Sequence, residues 1–349
     1  MSPVERMFMR PSIETRCAAH WRRVPALLVL CVAASALLVA QSTPLRLVST
    51  AWPPFTNPSG QARFALDLVD AALGRIGRTA NTTIVSAAEF TPALVQGRFD
   101  GSGAVWKDAQ REQALVFSQP YLENRLVLVG RSGADVSARS LGELSGKRVA
   151  IVAGYAYGDA IDLTAPVFVR SDSEEDSLTL LLKGSVDYTL MDELVIQYLV
   201  SNYPKESTTR LKIGTTPLLK RELFFALRRT LPDAAAIIAA FNAQLRGMIS
   251  DGTYHRLLHV DWITADVNGD GVPELVSRSN FAGTAPPQQV YTLFTAPQGE
   301  LSKTQPQKGF YVGGNIYRDW ASVPESYKTI DPKYPDPRRS TASIFKFTW

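Results

Sequence analysis

The stretch that decides the fold begins with KRVAIVAG (147–154), a short apolar run that predicts a buried strand ending in a glycine turn. DSLTLLLKG (176–184) follows with the spacing of a helix, and VDYTLMD (186–192) predicts a second strand. ELVIQYLVSN (193–202) then predicts another helix. Because strands and helices alternate, this region is predicted to form a mostly parallel sheet covered by helices.

The same alternation continues on both sides of this region. Upstream, LRLVST (45–50) predicts a strand, and ALDLVDAALGRIG (65–77) predicts a helix with one apolar face. Downstream, LFFALRR (223–229) predicts a strand, and one long helix is predicted over 232–258. The polar, glycine-containing segment 131–146 has the character of a junction, so the chain is predicted to hold two α/β units.

The first forty residues have the pattern of a secretory signal. Two arginines precede an apolar run, 24–40, that ends in the small residue Ala40. This pattern predicts cleavage after Ala40 and export to the periplasm; the alternative is an uncleaved anchor, because such a run nearly spans a bilayer. Both cysteines, Cys17 and Cys31, lie before the cleavage site, so the mature protein is predicted to contain no disulfide and no cysteine metal site.

The charge balance argues against nucleic-acid binding. The formal net charge is +4, but five arginines and two glutamates lie within residues 1–40. The remaining chain has 32 basic and 31 acidic residues, which provides no basic field for a nucleic acid.

Six segments occur in the order and spacing of a known family. They are AWPPF (51–55), PALVQGRFDG (92–101), REQALVFSQPY (111–121), LGELSGKRVAIVAG (141–154), GSVDYTLMDE (184–193) and MISDGTYHRLL (248–258). On these segments the chain resembles the family 3 extracellular solute-binding proteins, which are periplasmic amino-acid receptors of ABC importers. The resemblance covers about residues 45–262.

The resemblance implies an α/β, two-lobed periplasmic-binding-protein fold with two crossover strands. Lobe one is expected to comprise residues 43–129 and 218–262, and lobe two residues 131–213. The ligand is expected in the cleft at the carboxyl ends of the strands, where closure of the lobes traps it. The implied function is that of a monomer that binds a small solute and delivers it to an ABC permease.

Two charged residues are implied to hold the ends of an amino acid. Arg111 matches the family arginine that binds the ligand carboxylate, for which a guanidinium offers a planar fork of donors. Asp192 matches the aspartate that receives the ligand ammonium. The alternatives are a solvated Arg111 paired with Glu112, and an Asp192 that only caps the following helix.

The rest of the implied site departs from the family pattern. Trp106 stands where a serine or threonine is usual, and Gly154, Tyr155 and Ala156 replace a Gly-Ser-Thr turn whose backbone N–H groups could hold an anionic end. Trp52 matches a ligand-stacking aromatic residue. These residues predict an aromatic-rich cleft suited to a flat or cationic ligand. The alternative is that half of the aromatic residues belong to the lobe core or rim.

The C-terminal extension, 263–349, lies beyond the usual length of the family and opens with an oxygen-rich loop. The predicted calcium ligands are Asp266, Asn268, Asp270, the Val272 carbonyl and Glu274. Ser277 stands where an EF-hand carries glutamate, so the loop resembles those of integrin-type and VCBS repeats instead. The alternative is an Asn-Gly-Asp-Gly turn without metal. The proline-rich remainder is predicted to be an irregular appendage.

Other functions stay open from the sequence. The family includes cyclohexadienyl dehydratase, a lyase in which cleft carboxylates act as acid and base, and Glu193 is the candidate for such a role unless it simply begins a helix. A sensory input domain is a third possibility, although the chain contains no kinase or cyclase sequence. His255 and His259 lie one helical turn apart, a spacing that zinc could use, but no acidic residue completes a metalloprotease motif, so surface positions are favoured.

Overall fold

The computed structural model describes residues 43–328, apart from 159–160, 162–165, 261, 269, 271, 278–289 and 293–308. The predicted signal segment, 1–40, and the end of the extension lie outside the described residues. Within them, no helix combines the length and the apolar character that crossing a membrane requires. The described residues from Pro44 to Lys328 belong to one compact unit.

The helices and strands follow the alternation predicted from the sequence. The strands of the main sheet are β1 (Leu45–Thr50), β2 (Ala80–Val85), β3 (Gly101–Val105), β4 (Leu115–Phe117), β5 (Leu122–Arg131), β6 (Arg148–Val152), β7 (Val167–Ser171), β8 (Tyr188–Asp192) and β9 (Leu211–Arg228). The helices are α1 (Phe64–Arg75), α2 (Ala87–Val95), α3 (Ala109–Ala114), α4 (Glu174–Leu182), α5 (Glu193–Asn202), α6 (Pro204–Arg210), α7 (Ala234–Ser250) and α8 (Thr253–Leu258).

The sheet consists of two parallel halves joined by an antiparallel pair. Its spatial order is β2-β1-β3-β9-β5-β8-β6-β7, with β4 beside β9. In lobe one, β1 is parallel to β2 and β3; in lobe two, β6 is parallel to β7 and β8. The long strands β5 and β9 pair with each other from Leu122 opposite Leu223 to Arg131 opposite Leu211. This confirms the two-lobed fold with two crossover strands.

The topology determines which residues can meet in the cleft. Parallel strands of one lobe end at the same edge of the sheet, so the segments after β1 and β3 lie together in lobe one. The segments after β6, β7 and β8 lie together in lobe two for the same reason. Residues that follow these five strand ends therefore form the candidate site.

Two elements differ from their predicted bounds. The strand predicted to begin at residue 223 begins at Leu211, because its first half pairs with β5 in lobe two before the second half pairs with β3 and β4 in lobe one. The single helix predicted over 232–258 is broken into α7 and α8. Gly252 lies at φ +77°, a left-handed conformation that ends a helix and that glycine adopts without steric cost.

The described part of the extension adds a second, smaller sheet. Its strands are β10 (Trp262–Ala265), β11 (Glu274–Ser277), β12 (Tyr291–Thr292), β13 (Phe310–Val312) and β14 (Asn315–Tyr317), in the order β12-β10-β11-β13-β14. The Trp262 ring packs against Phe310 and Trp320, with centroids 6.1 and 5.2 Å away. The extension predicted to be irregular thus contains short strands, too brief for their periodicity to stand out in the sequence.

Candidate ligand-binding site

Three aromatic side chains from both lobes meet in the cleft. Trp52 and Trp106 follow β1 and β3 in lobe one, and Tyr155 follows β6 in lobe two. The Trp106 ring centroid lies 5.4 Å from that of Trp52, and the Tyr155 centroid lies 5.6 Å from each tryptophan. Both tryptophans are buried. The sequence prediction of an aromatic-rich cleft is therefore realised by contacts that cross between the lobes.

A small cavity lies under these rings. Five of the predicted site residues line it together: Trp52, Trp106, Arg111, Tyr155 and Ala156. Its volume is about 30 Å³, room for one or two water molecules. The lobes are therefore closed on their own side chains, and a solute can enter only if the lobes or the rings move.

Arg111 is buried at the edge of the cavity, with 3% of its surface exposed. Its helix, α3, begins at the N-cap Asp108, which accepts a hydrogen bond from the Arg111 backbone N–H at 2.7 Å. The Asp108 carboxylate also lies 3.3 Å from Arg111 Nε. Arg111 is thus neither solvated nor paired with Glu112, contrary to the alternative reading of the sequence.

The Arg111 guanidinium makes contacts in both lobes. It donates from Nη1 to the Trp106 carbonyl at 3.0 Å and from Nη2 to Thr91 Oγ1 at 2.7 Å, both in lobe one. A third contact, from Nη2 to the Gly154 carbonyl at 3.1 Å, reaches lobe two. Burial lowers the pKa of Arg111, the Asp108 charge opposes that change, and Arg221 adds to it. The guanidinium remains a charged group held by mostly neutral acceptors.

Gly154 is required by the geometry of this contact. Its φ is +76°, and a Cβ atom built there would lie 2.9 Å from the Ala87 carbonyl oxygen of lobe one. A side chain at residue 154 would therefore hold the two backbones apart.

Asp192 is buried at the end of β8 and caps α5. Its Oδ1 accepts from the backbone N–H groups of Leu194 at 2.8 Å and Val195 at 3.4 Å. Its Oδ2 accepts from Asn124 Nδ2 at 3.0 Å and the Arg125 N–H at 3.1 Å. These four donors use the whole acceptor capacity of a carboxylate. The N-cap role stated as the alternative is therefore present, and ammonium binding by Asp192 stays a prediction.

The surroundings of Asp192 raise its pKa and link it to the cleft by hydrogen bonds. Burial raises its pKa to about 7, against the opposing effect of the hydrogen bonds from Asn124, Leu194 and Val195. Asn124 also accepts a hydrogen bond from Trp106 Nε1 at 2.8 Å. Asp192 is thus linked to the cavity through two intermediate side chains and does not line it.

Glu174 is a buried carboxyl group near the candidate site that the sequence analysis missed; like Asp192, it does not line the small cavity. It is the first residue of α4, directly after β7, and only 6% of its surface is exposed. The helix was predicted to begin at Asp176, which left Glu174 in a polar loop. The signal that could have found it is its place after the third parallel strand of lobe two, beside the strand ends that carry Tyr155 and Asp192.

The Glu174 carboxyl group lies in a mostly apolar environment. Burial raises its pKa to about 8, the nearby Asp192 charge adds to that rise, and the Trp52 indole N–H opposes it. That N–H approaches the carboxyl group without making a hydrogen bond of normal geometry. Among the described residues, neither Glu174 Oε2 nor Trp52 Nε1 has a hydrogen-bond partner.

The predicted calcium loop is partly described. Its side chains bond to the loop backbone: Asp270 Oδ1 accepts from the Val272 N–H at 2.9 Å, and the buried Glu274 Oε2 accepts from the Val267 N–H at 3.2 Å. Among the residues with assigned structure, no group of three or more His, Cys, Asp and Glu side chains is arranged to hold a metal ion. Gly269 and Gly271 lie outside that set, and calcium binding stays a prediction.

His255, in α8, and His259, just after it, have separate structural positions. His255 is fully buried, and its Nε2 lies 3.1 Å from the Val276 carbonyl of the extension. The His259 ring packs 4.1 Å from Phe64. His255 is therefore not the surface residue that the sequence favoured, and it contacts the extension.

Comparison with known proteins assigns the region that contains this site. The sequence model described as bacterial extracellular solute-binding proteins, family 3, matches residues 46–264. Among curated proteins, the virulence sensor protein BvgS of Bordetella pertussis is 27% identical over 117 residues, 33% of this chain and 9% of that protein. The chain thus spans about a tenth of the curated relative.

Solved structures agree with the fold. The GluR0 ligand-binding core from Nostoc punctiforme in complex with L-glutamate is 23% identical with a TM-score of 0.52, covering 61% of this chain and 97% of that one. An ancestral arginine-binding protein bound to arginine is 24% identical with a TM-score of 0.54, covering 63% and 98%. At these identities the likeness establishes the two-lobed fold.

Proposed function

Because the chain belongs to the bacterial extracellular solute-binding proteins of family 3, we propose that it binds an amino acid between its lobes and delivers it to an ABC permease. The observation that carries this proposal is the position of Arg111. Its guanidinium is buried beside the cavity. Two backbone carbonyls accept its hydrogen bonds, and the partly exposed Asp108 carboxylate lies next to it. A guanidinium in this position is arranged to receive an anionic group.

Lobe closure would couple binding to the hinge. The contact of Arg111 with the Gly154 carbonyl joins the two lobes, so opening at the β5 and β9 strands breaks it. A ligand carboxylate can then take the place of that carbonyl, and it gains strength because the acceptor is charged. The closed form with ligand is favoured because only it offers contacts from both lobes at once.

The class of ligand is supported by the similar structures. The GluR0 core and the ancestral arginine-binding protein both hold an amino acid, and Arg111 of this chain offers a buried guanidinium to the carboxylate of such a ligand. The aromatic rings beside Arg111 favour a flat or cationic ligand.

A lyase activity is the less favoured candidate. Glu193, the carboxylate considered for it, does not line the cavity. It accepts a hydrogen bond from the Tyr291 hydroxyl at 2.9 Å and lies 3.6 Å from Arg125 Nη1, so it is engaged with the extension and the hinge strand. Incubation with prephenate or arogenate, followed by product analysis, tests this alternative, and turnover would replace the receptor proposal.

A sensory role is supported by one observation, the match to part of BvgS. Such a role would use the same cleft, with lobe closure as the signal in place of delivery to a permease. Purification with a membrane permease separates the two, since a receptor that delivers solute must bind a permease.

Export and assembly belong to the same proposal. Membership of an extracellular family agrees with a periplasmic protein released by cleavage after Ala40. We expect a monomer, which light scattering measures, and N-terminal sequencing of the exported protein measures the cleavage site.

We also propose that the loop 266–274 binds calcium. Its oxygen donors come from one segment of nine residues and are the hard ligands that calcium prefers. The ion would stabilise the extension and supply no chemistry to the cleft.

Calorimetric titration with the twenty common L-amino acids tests the main proposal. We expect at least one to bind in the micromolar range or tighter, with small-angle scattering showing a change in lobe separation. Absence of binding by every amino acid at millimolar concentration would overturn the proposed function.

A further inference from the structure

Glu174 stands at the one strand end of lobe two to which no role has been assigned. Strands β6, β7 and β8 are parallel, and the residues after them face lobe one at the same edge. Tyr155 follows the first of these strands and Asp192 ends the third. Glu174 follows β7, the edge strand that pairs with β6, so it lies at the same edge of the sheet as Tyr155 without lining the small cavity.

The groups around Glu174 come from both lobes. Trp52 approaches it from lobe one. Within lobe two, the Asp192 charge raises the pKa of Glu174, and the Glu174 charge raises the pKa values of Tyr155 and Tyr157. Because Trp52 lies in the other lobe, opening the lobes exposes the Glu174 carboxyl group to the cleft. Closing them again around a solute would place that solute between the Trp52 ring and the carboxyl group.

The two buried carboxyl groups differ in their capacity to bind a cation. Asp192 already accepts four hydrogen bonds and cannot accept another without losing one. Glu174 has an oxygen atom, Oε2, that is buried and has no partner among the described residues. A buried acceptor without a donor is costly, so this oxygen gains most from a donor that arrives with the ligand.

We propose that Glu174, and not Asp192, receives the ammonium group of the bound amino acid. The inference rests on the proposed function and names the residue that binds the second pole of the zwitterion. Arg111 and Glu174 then bind opposite charges, and the rings of Trp52 and Tyr155 flank the cation, which is attracted to their faces.

The proposal has a measurable chemical consequence. With a pKa of about 8, the Glu174 carboxyl group is mostly protonated at pH 7 in the solute-free protein. An ammonium group placed beside it favours the carboxylate, so the carboxyl group loses its proton to solvent as the ion pair forms. Binding should therefore release close to one proton near pH 7.

Calorimetry with the twenty common L-amino acids tests the proposal on four proteins. They are the wild type, Glu174→Gln, Glu175→Gln and Asp192→Asn. Glu175 is the matched control because it is the next carboxylate of the same helix. For every amino acid that the wild type binds, we expect Glu174→Gln to weaken binding at least thirtyfold and Glu175→Gln to change it less than threefold.

Repeating the titrations in phosphate and in Tris at pH 7 counts the protons. We expect proton release in the wild type and a smaller release in Asp192→Asn, where loss of the Asp192 charge lowers the pKa of Glu174 while the asparagine can still cap α5. No release is expected in Glu174→Gln. If Glu174→Gln fails to fold, the proton count of the wild type and of Asp192→Asn decides: release in both supports the proposal, and its absence in either overturns it.

The outcomes separate this inference from the proposed function. If the wild type binds none of the amino acids, the proposed function fails, and the inference falls with it. If the wild type binds one and Glu174→Gln binds it equally well, only the inference is overturned.

Discussion

Asp192 and Glu193 are neighbours in the chain, yet they belong to two regions with different physical character. Asp192 is part of the cleft, where buried charges are met by neutral donors and ionisation is shifted. Glu193 is part of the junction with the extension, where Tyr291 donates to it and Arg125 lies beside it.

The junction is electrostatically compensated in a way that the cleft is not. Arg125 pairs with Glu123 at 2.8 Å, donates to the Val290 carbonyl and stacks 4.2 Å from the Tyr291 ring centroid. Among the described residues, by contrast, Arg111 and Glu174 have no opposite charge of comparable burial beside them, since the Asp108 side chain near Arg111 is 32% exposed. The comparison indicates that the cleft is prepared for a charged solute and the extension for structural attachment.

The largest expected effect comes from removing the cleft cation. Arg111→Ala should weaken amino-acid binding by about 2–5 kcal/mol, because a buried charge-assisted contact is lost. Calorimetry measures the loss, and thermal unfolding verifies that the variant folds. Arg98→Ala, at an exposed arginine, is the matched control and should bind normally. An unchanged affinity in Arg111→Ala would contradict the conclusion that the cleft is prepared for a charged solute.

The second effect is on stability as a function of pH. Glu174 and Asp192 have raised pKa values in the folded state, about 8 and about 7, so the folded protein binds more protons than the unfolded chain above pH 4.5. The stability that these two groups contribute to the folded protein is fully present below their unfolded pKa values and is lost as the pH rises through 8. Glu174→Gln should match the wild type at pH 4.5 and exceed it at pH 9 by on the order of 5 kcal/mol, because the folded protein raises the pKa of Glu174 from 4.5 to about 8.

Denaturant titrations of both proteins across this pH range measure that difference. Glu175→Gln should follow the wild type at every pH. Parallel curves for the wild type and Glu174→Gln would show that Glu174 ionises normally in the folded protein.

A smaller effect is expected at the contact between the lobes. Gly154→Ala should destabilise the closed form by about 1–2 kcal/mol, since its left-handed φ disfavours alanine and the new Cβ would press on the Ala87 carbonyl. Small-angle scattering should show a more open solute-free protein. Gly133→Ala, also at positive φ but with no atom within 4 Å of its Cβ, controls for backbone strain alone.

The junction should respond less than the cleft. Tyr291→Phe removes the hydrogen bond to Glu193 and should cost about 1 kcal/mol of unfolding free energy. Tyr311→Phe, which removes an exposed hydrogen bond to the Ser250 carbonyl, should cost less. Amino-acid affinity should stay within twofold in both variants, and a large loss in Tyr291→Phe would show that the extension controls the cleft.

The smallest effect on the cleft is expected from calcium removal. EDTA should increase proteolysis after about residue 265, because repulsion among the loop carboxylates is no longer offset, and should leave amino-acid affinity unchanged. Equal cleavage with calcium and with EDTA would favour the turn without metal. A loss of affinity on chelation would mean that the extension belongs to the cleft.

The sequence by itself determined the order of strands and helices, the two-lobed class and the cleft position of Arg111. Each of these rests on local periodicity or on short segments that keep their spacing, and both are visible along the chain. The strand at 45–50 and the helix at 193–202 accordingly have the predicted bounds.

Only the tertiary structure decided which of these residues can act on a ligand. The acceptors of Asp192 are filled by Asn124 and Arg125, and Glu174 approaches Trp52, across separations of more than sixty residues. Burial, hydrogen-bond capacity and pKa depend on such distant neighbours, because desolvation and charge act through space. A carboxylate in a polar run and one at the edge of a cleft therefore look alike until the chain is folded.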